Sequence, residues 1–174
     1  MKALYKLMIL CTLFSLLLCS CGEGEETSQV AYSDLVQPMV DVSITDCITA
    51  EELTAIVGSP MQLVGLDKDN SQLVFTSEDS LHQVTVSMKN QTPAGFEAEK
   101  NASLFDTTLQ DGVGKIAYWC EDTQTGHNWL VFYSGGYAVT VEVSGSDDDT
   151  QAHDTYAKQI ADKILDKLPT DTEN

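Results

Sequence analysis

The chain has 174 residues, one domain by length, and sets 27 acidic residues against 9 basic ones for a formal charge of −18. Every basic residue is a lysine, so the basic face that a nucleic-acid-binding protein needs to neutralise phosphates is excluded. Hydrophobic residues make up 43% of the chain, enough for a core, and the acidity therefore reads as a solvated surface and not as disorder.

At the N-terminus Lys2 and Lys6 precede an apolar or neutral run from Leu7 to Cys19, which is followed by a Gly/Glu stretch. The run is shorter than the roughly 20 residues that cross a bilayer, and the layout is that of a cleaved export signal. Within it, Leu18-Cys19-Ser20-Cys21 resembles the lipobox of bacterial lipoproteins, with Leu three positions before the Cys and a small Ser directly before it. The resemblance implies a diacylglycerol on the Cys21 sulfur, cleavage ahead of Cys21 and a further acyl chain such as palmitate on the new amino group. A secretory cut near Ala31 is the alternative. Anionic headgroups repel an acidic body, so lipid has to hold it to the extracytoplasmic face of the cell membrane, and two chains suffice. The expected division is a signal peptide over 1–20, a flexible tether over 21–41, one domain over 42–169 and a disordered tail over 170–174.

The first element of the domain is a helix capped by Thr49 and Glu52, with Ile48 and Leu53 at the staple positions and Gly58 and Pro60 ending it. Strands are expected over 61–67 and 71–77 around the turn Asp67-Lys68-Asp69-Asn70, and a third over 81–89. In that third strand Val84, Val86 and Met88 alternate with polar residues, the mark of an antiparallel sheet with one buried face. Thr92-Pro93 starts a second helix that runs to about Leu104, with Gly95 as its weak point. Strands near 114–121, 127–134 and 137–144 follow, the last two joined by a Gly135-Gly136 hairpin turn. A final amphipathic helix starts at Asp149 or Thr150 and runs to Leu168 before Pro169, and it is expected to lie across the sheet.

The order predicts an α+β fold, an antiparallel sheet of six to seven strands with helices packed on it. This order is similar to the PsbP-like domains. The stretch from Asp46-Cys47-Ile48-Thr49 to Gly58 resembles the Asp-Pro-Cys-x-Leu-Leu-Thr helix of actinobacterial envelope lipoproteins, although Pro and one Leu of that pattern are missing. These resemblances imply a sandwich fold and an envelope location, and no activity.

With Cys11 and Cys19 in the leader and Cys21 assigned to lipid, Cys47 and Cys120 remain as an even pair in an exported domain. A bridge between them would close a loop of about 70 residues and stabilise by roughly 4 kcal/mol. Two buried free thiols are the alternative. His82, His127 and His153 lack the spacing of zinc ligands, with His82 read as a strand-end residue whose hydrogen bonds are satisfied and His127 beside the Gly126 turn. The run Asp147-Asp148-Asp149 lacks calcium-loop spacing and suits a helix N-terminus. No nucleophile or phosphate-loop motif occurs, and no cofactor or metal is expected.

Tyr118, Trp119, Trp129, Phe132, Tyr133 and Tyr137 fall on three neighbouring strands. By alternation Trp129 and Tyr133 face together, and Trp119 faces opposite to Tyr118. Trp119, Trp129 and Tyr133 are the candidate ligand-binding residues if exposed, and packing beneath the last helix is the competing account. The reading is a lipid-anchored, non-enzymatic envelope module that binds a protein or small ligand. Its alternatives are an enzyme or accessory subunit of an envelope hydrolase, and a structural surface protein without a specific ligand.

Overall fold

The structure is a computed structural model that describes residues 41–145 and 150–169. The signal peptide, Cys21, most of the tether, the Asp147-Asp148-Asp149 run and the tail lie outside the described residues. The elements in chain order are α1 (Ile44–Cys47), α2 (Ala50–Val57), β1 (Met61–Leu66), β2 (Gln72–Ser77), β3 (His82–Asn90), α3 (Pro93–Asn101), β4 (Asp106–Leu109), β5 (Ile116–Asp122), β6 (His127–Ser134), β7 (Tyr137–Gly145) and α4 (Thr150–Leu165). The fold is α+β, with one open antiparallel sheet of seven strands in the order β1-β2-β3-β7-β6-β5-β4. Two meanders, β1-β2-β3 and β4-β5-β6-β7, are joined by the β3–β7 ladder from His82 opposite Gly145 to Asn90 opposite Tyr137. None of the described helices is long and apolar enough to cross a membrane.

Local chemistry sets the helix boundaries. The Thr49 hydroxyl accepts from Glu52 N–H at 3.2 Å and the Glu52 carboxylate accepts from Thr49 N–H at 2.9 Å, so the expected capping box forms. Gly58 then takes φ +82°, where a side chain is strained, and closes α2. In α3 the Thr92 hydroxyl accepts from Gly95 N–H at 3.1 Å with Pro93 at the first helical position. This helix stops at Asn101 and not at Leu104, because the Ser103 hydroxyl accepts from Phe105 N–H and turns the chain into β4. The last helix likewise ends three residues early, at Leu165, and a turn beyond it returns the buried Leu168 to the core.

Strand alternation divides the interior into two clusters. On one face Leu73, Phe75, Val84, Val86, Met88, Leu130, Phe132, Val139, Val141 and Val143 pack with Leu53 and Val57 of α2 and Ile160, Ala161 and Ile164 of α4. On the other face Tyr118, Cys120, Val131, Tyr133 and Ala138 form a smaller cluster closed by Phe96 of α3. That helix covers only the β5-β6-β7 half of its face, and on the β1-β2-β3 half Gln83 and Lys89 stay exposed.

The bridge expected between Cys47 and Cys120 does not form, and both thiols are free and buried. Cys47 lies in the larger cluster, where its thiol donates to the Ser43 carbonyl at 3.4 Å and lies 4.0 Å from the Met88 sulfur. Cys120 lies in the smaller cluster, so the sheet itself separates the two. The expectation for His82 also needs correction. Its Nδ1 is buried with no hydrogen-bond partner among the described residues, while its ring meets those of His153 and Tyr156 edge-on at 6.1 and 6.2 Å.

Candidate functional site

Trp129 and Tyr133 face together, as alternation predicts, while the register of β5 with β6 puts Trp119 on the opposite face of the sheet, so the three aromatics singled out from sequence do not form one site. Trp119 leans on the larger cluster beside α4, its indole N–H donating to Gln110 Oε1 at 3.0 Å and Lys158 Nζ standing 5.8 Å from its ring. Tyr133 is buried at the far face, 5.6 Å from Phe96 ring to ring. Trp129 shares that face but is only half-buried, with Phe105 edge-on at 4.8 Å and His127 at 5.9 Å. Beside it His127 Nε2 and Glu142 Oε1 are 2.9 Å apart. Of the three candidates, Trp129 is the one that reaches an exposed apolar surface.

That surface belongs to β4 and the residues leading into it, where Leu104, Phe105 and Leu109 are 98%, 45% and 67% exposed. Strand pairing sets Thr107 opposite Cys120 and Leu109 opposite Tyr118, so Thr107 and Leu109 share the α3 face with Trp129. Asp106 stands opposite Glu121 and Thr108 opposite Trp119 on the other face. The backbone is equally ordered. Gln110 N–H donates to the Ala117 carbonyl at 2.9 Å, and by antiparallel alternation Thr108 and Asp106 also bond to β5. The N–H and C=O groups of Thr107 and Leu109 consequently point away from the sheet. The connection from β4 to β5 encloses a shallow pocket of about 180 Å³ lined by Leu109, Asp111, Val113 and Lys115.

Electrostatics at this edge is lopsided. Asp106 and Glu121 are like charges directly opposite each other, an arrangement that destabilises a sheet, and neither carboxylate has an ion-pair partner among the described residues. Asp122, at the end of β5, is held below the usual carboxylate range, first by Gln124 N–H and then by the Thr125 hydroxyl. Burial drives the Cys120 thiol in the opposite direction, upward, so no reactive thiolate stands behind the patch. Among the described residues no three His, Cys, Asp or Glu side chains converge to hold a metal ion.

The opposite edge differs. On β1, Leu63, Val64 and Leu66 are exposed, but the register slips between Leu63 and Gly65, and such a bulge spoils an edge for further pairing. No protein-family model, curated protein or solved structure matches the chain.

Proposed function

We propose that the chain is a lipid-anchored envelope lipoprotein whose domain is a non-enzymatic binding module for a protein partner. The observation that supports binding is the exposed apolar group of Leu104, Phe105 and Leu109 at the regular β4 edge, with Phe105 packed on the half-buried Trp129, whereas the exposed Leu63, Val64 and Leu66 lie on the bulged β1 edge. Contiguous exposed apolar surface rimmed by polar residues is what interaction sites present. The anchor rests on the leader and its Leu18-Cys19-Ser20-Cys21 sequence.

Native mass spectrometry of the protein extracted gently from its own membranes tests both parts. Acyl mass on Cys21 together with a stoichiometric protein partner is the expected spectrum. Cys21→Ala should abolish lipid labelling and release the chain from membranes or leave it unprocessed; unchanged labelling would overturn the anchor. A lipidated monomer that carries no partner would overturn the binding role.

A further inference from the structure

We infer that the outer edge of β4 is a strand-addition site for an extended segment of a partner protein in which apolar and basic residues alternate. The inference rests on the binding-module reading and names its partner chemistry. Thr107 and Leu109 turn four backbone groups outward in a regular ladder, which is the template that an incoming strand completes. Phe105 cannot extend that template, because the Ser103 hydroxyl already bonds both its N–H, at 3.1 Å, and its C=O, at 3.3 Å. The site is therefore short and begins at Asp106.

The two faces of β4 dictate what the added strand carries. Residues that fall on the α3 face meet Leu109 and Phe105, the latter packed on Trp129, and have to be apolar. Residues that fall on the opposite face meet Asp106, with Glu121 one strand further in, and a lysine or arginine there relieves the like-charge pair. Charge also selects against the nearest alternative occupant. A second copy of this chain would bring another Asp106 and Glu121, on a body of formal charge −18, to the same edge. The bulged β1 edge has neither the regular ladder nor the matched faces.

The test is hydrogen exchange on the full chain in the presence of an acetylated ten-residue peptide of alternating lysine and valine. The expected result is protection of the Thr107 and Leu109 amides, weakened several-fold as salt rises from 50 to 300 mM, on the order expected of screened charges. The same peptide with glutamate in place of lysine should bind at least about tenfold more weakly, a comparison that needs no variant protein. Thr107→Pro removes one outward N–H while leaving the β4–β5 bonds, since edge strands tolerate proline on their solvent side, and it should abolish protection. Protection confined to β1, equal binding of the glutamate peptide, or protection at β4 that grows with protein concentration in the absence of peptide would each overturn the inference, the last by identifying a second copy as the occupant. A native partner complex that survives Thr107→Pro would overturn the edge and leave the binding module standing.

Discussion

Cys47 and Cys120 carry the same group to opposite sides of one sheet. Their even number and the export expected from the leader favour a bridge, but side-chain facing can be read only within a strand, and Cys47 belongs to a four-residue helix whose place over the sheet has no period to reveal it. Burial raises the Cys47 thiol to about 11, so it stays protonated and slow to react at neutral pH. Iodoacetamide should therefore label neither thiol of the native domain within minutes and both in denaturant, and dithiothreitol should leave the melting temperature unchanged; a reducible mass difference of two hydrogens would contradict the structure. A second residue-scale prediction concerns Glu52, which Lys167 holds below its ordinary range through contacts of 2.7 and 2.8 Å, with the Thr49 N–H adding to the effect. Because the folded value is depressed, the stabilisation is complete above about pH 4.3, the ordinary glutamate value, and disappears as pH falls through the folded one. Both groups remain partly in water, so Lys167→Met should cost only about 0.5 kcal/mol at pH 7. In urea melts that difference should shrink steadily as pH falls below the ordinary glutamate value.

Phe96 decides how an entire helix is held. It is 1% exposed and meets Tyr118 at 5.3 Å and Tyr133 at 5.6 Å, and it is the fully buried residue of α3. Phe96→Ala should cost about 3 kcal/mol and release the amides of α3 to exchange before those of β6, because the helix has no second buried anchor. Equal loss of protection in both would show that α3 is held by something else. Elements with a buried stripe or alternating pattern were legible: β2, β3 and β7 alternate as their sequences do, and the capping box marks the start of α2 to the residue. By contrast β4 was not, since all four residues of Asp106–Leu109 are exposed and leave no alternation to read. The candidate site suffered from the same blindness. Trp129 could be nominated as an aromatic on a strand, whereas Leu104, Phe105 and Leu109 became visible only once β4 paired with β5. The Gly135-Gly136 turn was plain from its composition, with φ values of +57° and +87°. Less visible was that a Cβ at Gly135 would run into the backbone carbonyl of Pro169, so the hairpin turn also seats Pro169 after α4.

At the scale of the whole domain, sequential hairpins were legible and the join between the meanders was not. Sequence shows which neighbours pair through short turns, but nothing in the alternation of β3 or β7 says that the two meet across 55 residues of chain. That single ladder has a kinetic consequence. Every other ladder in the sheet links strands adjacent in the chain and can close locally, whereas β3 and β7 come together only after the long loop between them has been closed at an entropic cost. The slow step of folding is then the docking of two preformed meanders, with Val86 meeting Val141 at the seam. Val86→Ala should slow refolding in a chevron experiment, with a φ-value of about 0.5 or more, while Leu73→Ala, out in the β1-β2-β3 meander, should act mainly by speeding unfolding. Until the seam closes, β3 and β7 are each an open strand edge bearing three or more buried-type valines or methionines, so the undocked halves are the species from which the chain would aggregate.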